Sequence, residues 1–499
     1  MGWAPLDGVL CWAVKLGCIY QPPDLIDTKW GYLLFFGLCF ADVFVIIMLI
    51  STVGGFVTRL HEMRRTKREL AALHKVPSEL PSLTILVPCY LPNEQPILKE
   101  TIAHIMGRLE YGRDFTLIIC YNTPHPLPIE ADLAKMDGQL FPALEGARDG
   151  ICLSAMPSPP PSSRLLRIVK VKDSQSKAEN LNAALALVDT ENVVIYDADH
   201  HPDPGSLELL TAHLRARRCE CVQGSTYLRH KHSLFDVYIN TEFFVTHFVF
   251  FPAMQFLTSC GVFGGSNALW KTEALRDYSF RHDVQTEDIE LSTQAMLRKV
   301  RIRFCPDARS GELPPATFIA LYRQRLRWAV GWDQVTIQHF HGIGSSDLSC
   351  REKAALYWIL PMRWALLFSA TLNAIVTPVV GLGYKLQVPG ASLGLPIDSC
   401  ISLAGVAFLS VTGVVLASAV LHEPPHRWLA VLLFQVTGIM YISWQLLLAV
   451  ISLSKVCIGA DGGWIVTTRA APERLSRKSR SNSQFQQPSN EDFKYYRLK

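Results

Sequence analysis

Val193-Val-Ile-Tyr-Asp-Ala-Asp199 runs from four apolar residues straight into two carboxylates one residue apart. A short apolar run bounded by polar residues reads as a buried strand, so Asp197 and Asp199 leave its carboxyl end. Working outward, Leu83 to Val87, Phe115 to Cys120 and Leu165 to Val171 read the same way. Gln95 to Met106, Ser176 to Val188 and Gly205 to Arg217 lie between or after them, with apolar positions at helical spacing. This alternation predicts an α/β layered domain with a mostly parallel sheet over residues 82–347. Ligands of such sheets sit beyond the carboxyl ends of the strands. Pro88 to Glu94, Asn122 and Asp197 all fall on that edge. Residues 124–163, which contain Pro157-Ser-Pro-Pro-Pro-Ser-Ser163, interrupt the rhythm and read as a loop insertion.

Composition sets the surroundings of this block. Of 499 residues, 49% are hydrophobic and only 18% charged, a low charge fraction for a soluble enzyme. A net charge of +4, with no basic-aromatic surface pattern, argues against a nucleic-acid partner. The 13 cysteines are scattered, and Cys219 and Cys221 alternate within an apparent strand as reduced packing residues. After an N-terminal segment, 1–30, in which no cleavable signal is expected, residues 31–57 are long and apolar enough to cross a bilayer, with Asp42 their only ionisable member. Arg59, Arg64, Arg65, Lys67 and Arg68 follow in a basic linker, 58–81, that should stay in the cytoplasm. Beyond the polar block lie apolar segments 354–381, 399–421 and 428–453. The last, which carries Gln435 and Gln445, is read as crossing, re-entering or lying along the interface. The tail, 471–499, reads as disordered.

Three polar islands carry the chemistry. Asp197 and Asp199 offer hard oxygen ligands to a divalent cation, although such a pair also suits a solvated turn. His200 and His201 after them read as structural. Thr286-Glu287-Asp288 opens a helix, where Thr286 suits an N-cap and acids suit the dipole. The sharper alternative is that Asp288 points into the cleft and takes a proton from a hydroxyl. Gln324-Arg325-Leu326-Arg327-Trp328 lies in a helical run. Its arginines can grip pyrophosphate oxygens and its indole can stack on a pyranose. The same segment also reads as an amphipathic helix at a membrane surface. Lys177 to Asn182 opens a helix suited to a phosphate or sugar hydroxyl. Gly264-Gly265-Ser266 permits close backbone approach.

Together these islands resemble the processive, membrane-embedded branch of glycosyltransferase family 2, the cellulose synthase-like enzymes and their hyaluronan and chitin synthase relatives. The match runs from Pro88-Cys-Tyr90-Leu-Pro-Asn-Glu94 to Trp328 and resumes near the C-terminus. The resemblance implies a GT-A type, Rossmann-like cytoplasmic domain inserted between transmembrane helices. It implies that Asp197 and Asp199 hold Mg2+ or Mn2+, that Asp288 is the base and that Lys177 lies near the phosphates. It places Gln324, Arg325, Arg327 and Trp328 at the acceptor and pyrophosphate, with Pro88, Tyr90, Glu94, Asn122 and Glu287 also at the substrate. Trp464-Ile-Val-Thr467-Thr-Arg469, within residues 462–470, looks like the family's gating loop, with Trp for Phe and Arg for Lys. Three departures stand out. Tyr121-Asn122-Thr123 replaces the usual Asp pair, and the cysteine-rich zinc domain of the plant enzymes is absent. Three full spans after the polar block would also strand the gating loop outside the cell, so 428–453 is expected not to cross fully.

The implied activity is inverting transfer of sugar from a UDP-sugar to a growing β-linked polysaccharide, with export through the protein's own spans. Two alternatives remain: single transfer to a lipid acceptor, as by ceramide glucosyltransferase, and a non-catalytic synthase subunit. Membrane lipids are expected partners, and a homo-oligomer would widen the narrow channel that few spans can make. The plasma membrane is the first expectation for location and the Golgi the second.

Overall fold

The computed structural model describes residues 29–142, 163–229, 233–361, 363–371 and 397–459. Its centre is β1 (Leu83–Tyr90), buried at every position but the last, as a near-continuous apolar run requires of a strand covered on both faces. β1 pairs in parallel with β2 (Phe115–Asn122) on one side and β5 (Asn192–Ile195) on the other. β4 (Ser163–Lys170) continues in parallel beside β2, and β3 (Leu140–Pro142) closes that side antiparallel. Beyond β5 the sheet turns mixed. β8 (Ala268–Lys271) is antiparallel to β5 and to β7 (Cys221–Leu228). β9 (Ile302–Glu312) then runs parallel to β7, with β6 (His201–Pro202) antiparallel at the edge.

Register makes one edge functional. Tyr90 pairs with Asn122, so β1 and β2 end together, while β5 stops at Ile195 opposite Leu86 and releases Asp197 beside the end of β1; Pro88 to Glu94, Asn122 and Asp197 thus reach one place. Helices cover both faces. Leu98, Ile102 and Ile105 of the Leu91–Arg108 helix join Leu207 and Leu210 of the Ser206–Arg217 helix in one core. Leu181 and Ala184 of the Lys177–Leu185 helix pack into the other, with Trp270 and Leu291. Each fully buried leucine contributes about 1.5–3 kcal/mol. Cys219 and Cys221 are buried free thiols.

The start of the expected insertion is ordered structure. A helix, Ile129–Met136, precedes β3, and its Glu130 accepts from Tyr121 (2.9 Å) and Lys170 (2.7 Å). Residues 143–162 lie outside the described residues.

The chain divides into two compact units, residues 1–53 with 361–449 and residues 54–360 with 450–499. One unbroken helix, Lys29–Lys75, contains both the apolar segment and most of the basic linker. Among the described residues, three helices are long and apolar enough to cross a membrane by length and composition: Phe40–Lys75, Gly405–His422 and Met440–Cys457. Val43, Ile46, Ile50 and Val53 are exposed at helical spacing along one face of the first. The segment read as 354–381 begins within a helix, Cys350–Ile359, that stops before Pro361, and helix resumes over 363–371. The 428–453 segment forms one continuous helix, Trp428–Cys457, without the break a re-entrant path needs. Trp464, Thr467 and Arg469 lie outside the described residues.

Candidate functional site

A cleft of about 340 Å3 opens at the carboxyl edge of the sheet. Asp197, emerging just after β5, is fixed by its N–H, which donates to Ser266 Oγ at 3.0 Å. Its carboxylate lies 2.7 Å from Lys177 Nζ, which also reaches Glu287 at 3.3 Å and donates to Gly265 O at 2.9 Å. Lys177 opens its helix because Ser176 and Glu179 form a capping box around the first turn. Burial lowers the basicity of this ammonium, but Asp197, Glu287 and Asp288 outweigh it and hold the group charged. Asp199 is 1% exposed, and its Oδ2 accepts from Leu313 N–H at 3.2 Å. His200 beside it is held between Ser310 Oγ (3.0 Å) and Glu312 Oε2 (3.2 Å), a structural imidazole at the cleft wall.

Among the described residues, no group of three His, Cys, Asp or Glu gathers as a metal cage. Asp197 and Asp199 both line the cleft.

Asp288 lines the cleft from the first turn of the Glu287–Leu297 helix. Thr286 holds the N-cap position without a side-chain cap bond, and Asp288 Oδ1 accepts from Ile289 N–H at 2.9 Å. Burial, followed by the neighbouring charge of Glu287, pushes the Asp288 carboxyl up to about 7 against the pull of Lys177 and Arg327. A carboxyl tuned to that range suits proton transfer near neutrality. Gly265 makes this close grouping possible. Its φ is +81°, and a Cβ there would stand 2.9 Å from Asp288 Oδ2 and 3.3 Å from Lys177 Nζ.

The third island arrives on the Phe318–Ser345 helix, begun by the Thr317 cap. Gln324, Arg327 and Trp328 line the cleft, and Arg327 Nη1 donates to Gln285 O at 3.4 Å. Arg325 does not line it. That side chain is 3% exposed, pairs with Glu242 at 2.9 Å and stacks 4.1 Å from the Trp328 ring centre. Asn122 reaches the cleft but is already used in holding loops: it donates to Ser174 O and accepts from Asn180, each at 2.8 Å. Pro88 and Tyr90, at the end of β1, and Glu94, in the first turn of the Leu91–Arg108 helix, line the same cleft.

Several lining residues carry no signal in the sequence, among them Gln223, Glu242, Phe243, His247, Phe251 and Trp332. Gln223 braces the glycine turn, accepting from Gly264 N–H (2.8 Å) and donating to Ser266 O (2.8 Å). His247 sits in a π-helical turn, Thr246–Phe250, a geometry common at functional sites. Burial holds its imidazole down at about 4, so the ring is neutral, with Nδ1 2.8 Å from Phe243 O.

Residues 81–331, just over half of the chain, match the family model described as glycosyltransferase like family 2. The poly-beta-1,6-N-acetyl-D-glucosamine synthase of Staphylococcus aureus is 24% identical over 264 residues, 52% of this chain and 57% of that protein. The Staphylococcus epidermidis protein of the same name is 26% identical over 176 residues, 35% of this chain and 43% of that protein. This chain thus spans only about half the length of these curated relatives. Among solved structures, a mannosyltransferase from Pyrobaculum calidifontis in complex with GDP-Man and Mn2+ aligns with a TM-score of 0.41 at 20% identity, over 73% of this chain and 98% of that one.

Proposed function

This chain belongs to glycosyltransferase like family 2, with a GT-A type domain, and on that premise we propose that it transfers a sugar from a UDP-sugar to a growing β-linked polysaccharide. The observation that carries the reading is one cleft that unites Asp197, Asp199, Lys177, Asp288, Arg327 and Trp328, residues drawn from separate elements. Its lining supplies the charges of Lys177 and Arg327 for a diphosphate and the rings of Phe243, Phe251, Trp328 and Trp332 for a pyranose.

In this mechanism Asp288 accepts the proton of the acceptor hydroxyl. The oxygen forms its bond to the anomeric carbon as the bond to the diphosphate breaks on the opposite face. Lys177 and Arg327 hold the departing phosphates. Asp197 and Asp199 would hold a divalent cation, Mg2+ or Mn2+, which when bound neutralises charge on the diphosphate. Asn122 contributes by shape rather than by a charged contact to the nucleotide. The three apolar helices support a membrane location, with the catalytic domain in the cytoplasm and the plasma membrane ahead of the Golgi. The product would leave through the protein's own spans.

A single transfer to a lipid acceptor is favoured by one observation. Phe318 and Ile319, close after cleft-lining Pro315, are 59% and 62% exposed and would form an apolar approach. Membranes containing the protein, fed a panel of UDP-sugars, should yield a polymer cut by a linkage-specific hydrolase; a product one sugar larger than a lipid supports the second reading. Asp288→Asn should abolish transfer while UDP still binds. Near-normal product from that variant refutes the base assignment.

A further inference from the structure

Glu290 stands apart from the cleft, 1% exposed, yet its carboxylate is saturated with donors. Its Oε2 lies 2.9 Å from His339 Nε2, and its Oε1 accepts from Gln294 at 2.9 Å and Arg281 at 3.2 Å. Burial pushes this carboxyl up, but the bonds from His339 and Gln294 and the charge of Arg281 hold it below the ordinary range. Helix geometry explains the placement. Glu290 follows Asp288 by about 200° of rotation at about 100° per residue, so the two carboxylates occupy opposite sides of one helix. Asp288 takes the cleft, and Glu290 takes the neighbouring Phe318–Ser345 helix. His339 stands about three turns beyond Trp328 on that helix, at about 3.6 residues per turn.

The same two helices meet again nearby. Gln285 N–H donates to Gln334 Oε1 at 3.0 Å, and a Cβ on Gly331 would stand 2.4 Å from Thr286 Oγ1. Apolar contact alone, through Ile289, Met296 and Val335, would hold the helices together without fixing how far one slides along the other. A directional hydrogen bond between His339 and the buried Glu290 carboxylate does limit that sliding. We propose that Glu290 and His339 are a positioning pair that sets Asp288 against the wall formed by Arg327 and Trp328. The pair touches no substrate; it acts through Asp288, and so rests on the functional reading above.

The test uses the purified full chain and UDP release from the preferred UDP-sugar. His339→Leu should lower kcat about 10- to 100-fold, the penalty expected of a misplaced reacting group, with the donor KM nearly unchanged. His339→Gln, which keeps an N–H toward Glu290, should recover most of the rate. Wild-type kcat in a folded His339→Leu protein overturns the pair's role, and so does equal loss in both variants. If His339→Leu fails to fold, Glu290→Gln is read the same way: wild-type kcat overturns the proposal and a kcat-only loss supports it. A wild-type protein that releases no UDP from any donor overturns the functional reading, and this inference with it.

Discussion

Asp288 ionises against its surroundings, since burial and Glu287 both favour its protonated form. With an ordinary value of 3.8 in the unfolded chain and about 7 in the folded one, the native state binds the extra proton across that interval. Stability contributed by this group therefore falls as pH rises from about 4 to 7. Asp288→Asn removes the ionisation, so its melting temperature should exceed that of wild type above pH 7, by a gain on the order of a few kcal/mol. The gain should vanish near pH 4. Melting curves at pH 8 and pH 4 that show the same difference would contradict this account. Turnover of the wild type should rise with pH along a limb at or below 7, because a bound divalent cation would pull the carboxyl further down. The neighbouring arginines should separate in the same kind of experiment. Arg325→Ala removes a buried guanidinium that bonds the partly exposed Glu242 at the cleft, which should destabilise by about 1.5–3 kcal/mol. Arg327→Ala should leave melting nearly unchanged and raise the donor KM. Equal melting losses in the two variants would show that Arg325 is not the buried partner.

The Phe318–Ser345 helix crosses the turn at Thr286 so closely that only glycine fits at position 331, where a Cβ would lie 2.4 Å from Thr286 Oγ1 and 2.7 Å from Thr286 N. Helix propensity alone favours alanine there by about 0.8–1 kcal/mol. Overpacking against backbone costs about 1–3 kcal/mol, so the clash should win and Gly331→Ala should lower both melting temperature and kcat. A variant that melts higher would mean that the crossing is looser than drawn. This contact also shows what the sequence could and could not tell. β1, β2 and β5 were legible because parallel strands covered on both faces are continuous apolar runs. β9 was not: it carries Pro306, Asp307 and Arg309, and its register with β7 shifts between Gly224 and Ser225. The charged islands stood out against apolar flanks. Phe243 and His247 did not, because a ring or imidazole in an apolar helix announces nothing until the fold brings it to the cleft, His247 from a π-turn and Phe243 from the helix before it.

Membrane topology turns on the last described helix. Trp428–Cys457 has 30 residues, about 45 Å at about 1.5 Å per residue, where about 20 residues cross a bilayer. Near its end Ser452 donates to Asp333 Oδ2 at 2.6 Å, both side chains buried, and Asp333 lies on the helix that carries Trp328. The end of the last helix is therefore on the side of the catalytic domain. The chain must then cross an even number of times between Leu360 and Ser452. We propose that the helices containing Gly405–His422 and Met440–Cys457, both long and apolar enough to cross, supply two such crossings. That arrangement keeps the end of the Trp428–Cys457 helix on the side of the catalytic domain. It also sends the 423–427 turn to the opposite face. After replacement of exposed Cys350 and Cys457, a cysteine at His426 should react with an impermeant thiol reagent only from the face opposite Lys67→Cys, and Thr468→Cys only from the face shared with it. Labelling of His426→Cys from the same face as Lys67→Cys would contradict the two crossings and leave the Ser452–Asp333 bond as the contact to explain.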